Sequence, residues 1–268
     1  MPAILVGDRL DLQVMSFNLR YANAFDAQSW KKRRPVAAKL IEQESPAVIG
    51  TQEGLVDQLE QLIEDTPERF CWVGEGREGG DNGEFTAVIY DNTRVDPQSV
   101  DVFWLSETPD RAGSKSWGSR HPRMTTLVKF VDLLTGVPFT FINTHLDYRS
   151  EKARVHSVEM LLEKVREANE PTIVTGDFNV DDESPIHAQL TAHGSPLQDA
   201  WLNAAEHIGP AYGTFHAYRG LVENGKRIDW ILTTDHYVPT QAAVNPFGEG
   251  GQFPSDHLPV QVLLRLRG

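Results

Sequence analysis

Short apolar runs alternate with helical patterns along the whole chain, and most of these runs end at a polar residue. Short runs rich in apolar and β-branched residues are typical of buried strands. They predict strands at Leu12–Phe17, Ala47–Gly50, Phe70–Val73, Phe85–Tyr90, Val100–Leu105, Met124–Val131, Phe139–Asn143, Thr172–Thr175, Ile228–Leu232 and Leu258–Leu264. Because the two patterns interleave throughout, with no linker or repeat between them, the sequence predicts one α/β domain over residues 1–268.

Apolar residues also recur at helical spacing in three segments between the strands. They are Val36, Leu40 and Ile41, then Leu55, Leu59, Leu62 and Ile63, and then Val155, Val158, Leu162 and Val165. Ser150 is the predicted N-cap of the third helix. The glycine-rich stretch 74–83 predicts a loop or a hairpin turn. Because it contains no lysine and no helix follows it, we do not expect it to cradle a phosphate.

The formal net charge of −13 over 268 residues does not favour a long polyanionic ligand. Nucleic-acid affinity rests largely on neutralising phosphates, so this charge makes a nucleic-acid substrate possible but less favoured. Cys71 is the only cysteine, which excludes an intramolecular disulfide and a cysteine metal cluster. Neither a secretory pattern nor an apolar run of membrane-spanning length is visible, so we expect a cytoplasmic protein with no membrane partner.

Polar residues recur where the predicted strands end, which is where the active sites of α/β sheets form. They are Asn18, Glu53, His145, Asp177, Asn179, Asp229, Asp256 and His257. Each has an alternative structural explanation: Asn18, Asp177 and Asn179 suit turns, and Glu53 suits the first turn of a helix. Asp229 lies between Ile228 and Trp230 in an apolar strand, where a charge must be paired or functional.

The composition of this set indicates its chemistry. Carboxylate and amide oxygens are the ligands that hard divalent cations such as Mg²⁺ or Mn²⁺ prefer. The sequence has neither a zinc-hydrolase histidine pattern nor a Gly-x-Ser-x-Gly elbow for a serine nucleophile. The remaining mechanism is metal-assisted attack by water, with carboxylate and histidine side chains managing protons and charge.

These motifs resemble those of the endonuclease/exonuclease/phosphatase superfamily of metal-dependent phosphoesterases. The matching segments, in the order of that family, are Met15–Asn18, Gln52-Glu53, Asn143–Asp147, Gly176–Asn179, Arg227–Trp230 and Ser255–Pro259. The resemblance implies a four-layered α/β sandwich in which two mixed sheets pack face to face with helices outside. It also implies a hydrolase that uses Mg²⁺ or Mn²⁺.

The resemblance implies a role for each site residue. Glu53 is the main metal ligand, assisted by Asn18 and Asp256. Asp177 orients or deprotonates the attacking water, and Asn179 positions the water and the phosphate. His257 contacts the phosphate, with Asp229 fixing its tautomer. His145 matches a position that holds histidine or tyrosine, and Glu84 matches the acid that pairs with that histidine in pancreatic deoxyribonuclease.

Four further residues are candidate substrate contacts. Arg20 stands where abasic-site endonucleases carry an acid, and its cation could hold a terminal phosphate, although a surface ion pair explains it equally well. Arg123 and Arg154 could grip phosphate in a bidentate manner, with surface salt bridges as the alternative. Trp104 could stack a sugar or a base, with core packing as the alternative.

Three functions compete on these residues. The first is a phosphatase or phosphodiesterase acting on a small phosphorylated substrate such as a sugar phosphate or nucleotide. The second is a nuclease that acts on DNA or RNA through the same site. The third is a catalytically silent binding module, against which the complete set of site residues argues. The acidic charge and Arg20 favour the first function.

Overall fold

Thirteen strands and four helices make up the described part of the computed structural model, which comprises residue 5 and residues 7–267. The strands are β1 (Leu12–Asn18), β2 (Val48–Gln52), β3 (Phe70–Val73), β4 (Val88–Asp91), β5 (Val95–Trp104), β6 (Met124–Asp132), β7 (Pro138–His145), β8 (Thr172–Asp177), β9 (Leu197–Asp199), β10 (Glu206–His207), β11 (Asp229–Thr234), β12 (Tyr237–Val244) and β13 (Val260–Leu266). The helices are α1 (Trp30–Glu44), α2 (Val56–Asp65), α3 (Glu151–Ala168) and α4 (Pro185–Thr191). The domain predicted over residues 1–268 also includes residues 1–4, 6 and 268, which lie outside the described residues.

The strands form two mixed sheets. In the described residues, the first sheet has seven strands in the order β10-β12-β13-β1-β2-β4-β3, and the second has six in the order β5-β6-β7-β8-β11-β9. β1 is parallel to β2 and antiparallel to β13, and β7 is parallel to β8. Two mixed sheets with helices confirm the predicted α/β sandwich.

Four layers follow from where the apolar side chains are buried. The inner faces of both sheets meet in one core, which contains Val14 and Val48 from the first sheet and Phe141 and Ile173 from the second. α1 and α2 cover the outer face of the first sheet, where Leu40 and Leu59 lie in one cluster with strand residues. α3 and α4 cover the second sheet in the same way. Helices thus shield the outward face of each sheet from water.

Helix ends follow local side-chain chemistry. Ser150 caps α3 by accepting a hydrogen bond from Ala153 N at 3.1 Å, which confirms the predicted N-cap. Helix α4 was not predicted from the sequence, although Ser184 caps it and Pro185 occupies its first turn. In the described part of the chain, no helix has both the length and the apolar character needed to cross a bilayer.

A polar contact joins the two sheets beneath one edge of the sandwich. The side chain of Asn143 on β7 donates to the carbonyls of Thr51 (2.7 Å) and Ala87 (3.0 Å) from the first sheet. Gln52 Nε2 donates to Asn143 Oδ1 at 2.8 Å. A Cβ atom on Gly50 would lie only 2.0 Å from Thr175 Oγ1, so only glycine lets the sheets approach this closely here. This contact fixes the ends of β1 and β2 relative to those of β7 and β8.

Candidate active site

Strand register brings the predicted polar residues to one edge of the sandwich. Asn18 ends β1 opposite Gln52 of β2, and Glu53 follows directly. His145 ends β7 opposite Asp177, and Asp229 begins the antiparallel strand β11 opposite the same aspartate. The segment 254–259 leads into β13, which lies beside β1. The site therefore takes residues from both sheets.

Glu53, Asp177 and His257 form a group that could hold a metal ion. Each offers a ligand atom, and these atoms lie within 4.8 Å of one another. Asn18 Nδ2 donates to Glu53 Oε1 (3.2 Å) and to Asp177 Oδ2 (3.0 Å), so it holds the two carboxylates together. Burial, and after it the nearby Glu53 charge, raises the pKa of Asp256. Carboxylates crowded in this way fit a divalent cation, which would relieve their repulsion.

Three residues around this group have backbone angles that L-residues seldom adopt. φ is +55° at Arg20, +64° at Glu53 and +57° at Asn179. Left-handed backbone costs a non-glycine residue on the order of 1–3 kcal/mol and persists only where the surroundings enforce it. Here Tyr21 N donates to Glu53 Oε2 at 3.2 Å, and Asn179 N donates to Asp177 Oδ1 at 2.9 Å. Glu53 therefore lies in a turn that precedes α2 and not in the first turn of that helix.

His257 is held as a cation by Asp229. Its Nδ1 lies 2.9 Å from Asp229 Oδ2, and both side chains are buried. Burial alone would lower the pKa of His257, but Asp229, Asp177 and Asp256 raise it to about 10. Its Nε2, at 3.8 Å from Asp177 Oδ2, is left to face the cleft. A protonated imidazole is a poor metal ligand, so carboxylate oxygens of Glu53 and Asp256 are the better ligands. Asn18 turns its amide nitrogen to the carboxylates, and its Oδ1 accepts a hydrogen bond from Arg20 N at 2.9 Å, so it positions Glu53 in place of the direct ligand role expected from the sequence.

His145 lies on the other side of Asp177 and has the opposite charge state. Its Nε2 is 3.5 Å from Asp177 Oδ2. Burial and the neighbouring Arg123 charge lower its pKa well below the usual value, so the imidazole is neutral at physiological pH. Burial, Asp229 and Glu53 raise the pKa of Asp177, which makes this carboxylate a stronger base than an exposed aspartate.

Glu84 lines the cleft without the expected histidine partner. Its Oε2 accepts a hydrogen bond from Arg77 Nη1 at 2.6 Å. In the part of the chain that the structure describes, no hydrogen bond links Glu84 to His145. Burial raises the pKa of Glu84, which Arg77 opposes. The pairing expected from pancreatic deoxyribonuclease is therefore replaced by an arginine pair.

The cleft above these residues has a cavity volume of about 440 Å³. Its lining includes the predicted residues Arg20, Glu53, Glu84, Arg123, His145, Asp177, Asn179, Asp256 and His257. It also includes Tyr21, Arg77, His121, Tyr148, Phe215 and Ile228, none of which the sequence analysis selected for the site. Tyr148 and Phe215 are about half exposed there, and Phe215 lies against His257.

A model of the endonuclease/exonuclease/phosphatase family matches residues 15–257 of this chain. The chain belongs to this family. Its members are phosphoesterase hydrolases, and this chain is an enzyme of that class.

Solved structures from Bacteroides agree closely with this family member. An endonuclease/exonuclease/phosphatase from Bacteroides vulgatus is 30% identical, with a TM-score of 0.90 over 96% of this chain and 99% of that one. The mannosyl-6-phosphatase Bt3783 of Bacteroides thetaiotaomicron VPI-5482 is 33% identical, with a TM-score of 0.88 over 95% of this chain and 100% of that one.

A sequence relative covers a shorter part of the chain. The uncharacterized protein L388 of Acanthamoeba polyphaga mimivirus is 26% identical over 62% of this chain and 66% of its own length.

Two of the predicted substrate contacts lie outside the cleft lining of this family member. Trp104 is buried, and its Nε1 donates to Arg77 O at 2.7 Å, so it supports the backbone of a cleft residue. Arg154 is buried in α3, and its Nη1 donates to Asp147 O at 2.7 Å. Both side chains are used in packing, and neither is proposed as a substrate contact.

Arg20 and Arg123 both line the cleft, but their surroundings differ. Arg20 has carboxylate oxygens of Asp26 (3.3 Å), Asp256 (3.8 Å) and Glu53 (4.0 Å) around its guanidinium. Arg123 is buried, and the carboxylate nearest to it is Asp147, at 3.9 Å from Nε. The first arginine is surrounded by anions, whereas the second is nearly unpaired.

Proposed function

We propose that this protein is a divalent-metal-dependent phosphatase that acts on a small phosphoester such as a sugar phosphate. The observation that carries the proposal is the meeting of Glu53, Asp177 and His257 in a cleft of about 440 Å³. Such a volume is in the range of small-molecule pockets. A strand-tracking nuclease needs in addition a cationic track that neutralises several phosphates.

Proton transfer is assigned to the buried residues between the two sheets. Asp177 Oδ2 takes the proton of the attacking water, since its pKa is raised and Asn179 N holds its other oxygen. The His257 cation holds a non-bridging phosphate oxygen through Nε2, with Asp229 on its Nδ1. Asn179 is fixed by its donation to Leu146 O at 3.0 Å and positions the phosphate.

Glu53 and Asp256 are proposed to hold Mg²⁺ or Mn²⁺, with Asn18 positioning the Glu53 carboxylate. When bound, the ion would neutralise negative charge that develops on the phosphate oxygens. His145 stays neutral beside Asp177. We propose that it acts in the site as a neutral hydrogen-bond donor and does not contribute a positive charge.

The comparison that supports a sugar phosphate is the 33% identity with a mannosyl-6-phosphatase over nearly the whole chain. The half-exposed aromatic side chains of Tyr148 and Phe215 suit the apolar face of a sugar ring. Likeness to a TDP2 bound to single-stranded DNA, at 16% identity, concerns the fold alone. A cytoplasmic location stays a prediction from the sequence.

A substrate panel tests this proposal. Phosphate release would be measured with mannose 6-phosphate, other hexose phosphates and nucleoside monophosphates, and strand cleavage would be measured with short DNA and RNA oligonucleotides, each with Mg²⁺ and with Mn²⁺. We expect the highest kcat/KM on a hexose phosphate. Higher kcat/KM on an oligonucleotide would refute the phosphatase proposal in favour of a nuclease.

Chelation tests the metal. We expect EDTA to abolish hydrolysis, and Mg²⁺ or Mn²⁺ to restore it. Glu53→Gln should raise the metal concentration needed for half-maximal activity, because an amide replaces an anionic ligand. Full activity after exhaustive chelation would exclude the assigned role of Glu53.

A further inference from the structure

Arg123 is a buried cation that its surroundings leave without hydrogen bonds. Its side chain is only 6% exposed. Among the described residues no group accepts a hydrogen bond from its guanidinium, and its buried Nε has no partner. Desolvation of an arginine at this depth is costly unless a hydrogen-bonded anion accompanies it. The same side chain lines the catalytic cleft.

Asp147 attracts Arg123 but is already committed to other donors. Its Oδ2 accepts hydrogen bonds from Ser119 Oγ (3.0 Å) and Arg120 N (2.8 Å). Its Oδ1 accepts hydrogen bonds from Arg149 N (2.9 Å) and Ser150 N (2.7 Å). With these four bonds the carboxylate orders the loops on either side of it. Arg123 Nε stays 3.9 Å away, beyond hydrogen-bonding distance.

The other two arginines of the cleft are already paired with carboxylates. Arg20 has carboxylate oxygens of Asp26, Asp256 and Glu53 within 4.0 Å. Arg77 donates to Glu84 at 2.6 Å. Of the three arginines, Arg123 is paired most weakly, because its nearest carboxylate lies 3.9 Å from Nε. A negatively charged group on a ligand would therefore be attracted most strongly by Arg123. Arg123 also lies near the reacting groups, since its charge is the largest electrostatic influence on His145.

We propose that Arg123 is the residue that selects phosphomonoesters over phosphodiesters, by binding the additional unesterified oxygen of the terminal phosphate. This inference rests on the proposed function and assigns its specificity to one side chain. It assigns to Arg123 the role that the sequence alone suggested for Arg20. The guanidinium would complete its hydrogen bonds only when a phosphate enters, whereas a diester would place an ester group against a cation that has no hydrogen-bonded carboxylate.

A consequence for stability distinguishes this role from a structural one. If Arg123 served to hold Asp147, its replacement would destabilise the fold. If Arg123 instead forms its hydrogen bonds only with a ligand, its replacement by an apolar residue of similar length should leave the melting temperature unchanged or raise it. Arg154 is the matched control, because it is also a buried arginine beside Asp147, donates a hydrogen bond to the Asp147 carbonyl, and does not line the cleft.

The experiment compares wild type, Arg123→Met, Arg123→Lys and Arg154→Met. Both p-nitrophenyl phosphate and bis(p-nitrophenyl) phosphate release p-nitrophenol. The ratio of their kcat/KM values therefore reports how much the enzyme favours the additional negative charge of the monoester. We expect this ratio to fall about 10- to 100-fold in Arg123→Met, the range of a charge-assisted hydrogen bond. It should fall less in Arg123→Lys and stay unchanged in Arg154→Met, whose melting temperature should fall.

A second measurement does not depend on turnover. Inorganic phosphate, in EDTA and against chloride of equal ionic strength, should raise the melting temperature of wild type by roughly 2–4 °C and that of Arg123→Met much less. Equal stabilisation of both proteins, or an unchanged monoester-to-diester ratio in Arg123→Met, would overturn the inference. A wild type that hydrolyses only the diester would refute the proposed phosphatase instead, while the phosphate shift would still decide the role of Arg123.

Discussion

At the scale of single residues, two histidines beside one aspartate differ in charge because their neighbours differ. His257 has Asp229 on its Nδ1 and is a cation, whereas His145 has Arg123 nearby and is neutral. Both lie within 4.0 Å of Asp177 Oδ2. The histidine on one side of Asp177 is therefore positively charged, and the histidine on the other side is neutral.

Asp229→Asn should move the alkaline limit of activity to lower pH. Asp229 is the largest of the three carboxylate influences that together raise the pKa of His257 to about 10, so the cation persists up to that pH. Without the carboxylate the pKa falls, and the cation is lost as the pH rises through the lower value. A pH profile of kcat/KM would show the limit shifted down, with the acidic limb retained. Coincident alkaline limbs in the variant and wild type would exclude His257 as the cation.

Asp177→Asn should lower kcat at least about 10²-fold, the usual cost of losing a general base. The fold should survive, because the amide can still accept the hydrogen bond from Asn179 N. Single-turnover rates and thermal unfolding of the purified variant would be measured together. Near-normal kcat on the preferred substrate would show that another group takes the proton.

The sequence predicts which residue types meet at this site better than it predicts their partners. Asn18, Glu53, Asp177 and His257 end strands or precede them, so their convergence follows from strand order. Arg77 could not be found in this way, because it lies in a glycine-rich loop with no periodic pattern. Its place depends on hydrogen bonds to Trp104 and Glu84, which only the folded loop brings near.

At the scale of elements, prolines explain why one strand was predicted too short and another was not predicted. β5 begins at Val95, five residues before its predicted start, and β12 was not predicted at all. Each strand contains a proline, Pro97 or Pro239, at which its register shifts. Proline removes a backbone donor, so a sequence pattern predicts an interruption where the structure instead accommodates it with a bulge.

Gly50→Ala should destabilise the contact between the sheets and activity together. The added Cβ would meet Thr175 Oγ1 at 2.0 Å and Asn143 Oδ1 at 2.5 Å, and both atoms are buried. Overpacking of this kind costs about 1–3 kcal/mol. Denaturant unfolding should show the loss, and kcat should fall because Glu53 and Asp177 move apart. A variant with wild-type stability would mean that Thr175 and Asn143 rearrange freely.

At the scale of the whole molecule, the net charge of −13 contrasts with the arginines of the cleft. Arg20, Arg77 and Arg123 line the cleft, and each is near at least one carboxylate. The surface as a whole offers no attraction to a polyanion. We therefore expect electrostatic attraction to a ligand to be confined to a phosphate group that enters the cleft.

The salt dependence of kcat/KM should accordingly be shallow. A protein that tracks a single strand loses affinity with a log–log slope of about −0.7 for each phosphate contacted. For a small phosphoester we expect roughly the slope of a single phosphate. The measurement is kcat/KM from low to moderate KCl, on a hexose phosphate and on an oligonucleotide. A slope that corresponds to several phosphates on the oligonucleotide, with the higher kcat/KM there, would support a nuclease.

Because Glu53 follows a strand of the first sheet and Asp177 ends a strand of the second, a ligand that contacts both cross-links the two halves of the sandwich. Occupancy of the cleft then opposes separation of the sheets, a motion that would expose the whole interior. Saturation with ligand should therefore slow hydrogen exchange and proteolysis at strands far from the cleft. Resistance to digestion would report occupancy even for a ligand that is never turned over.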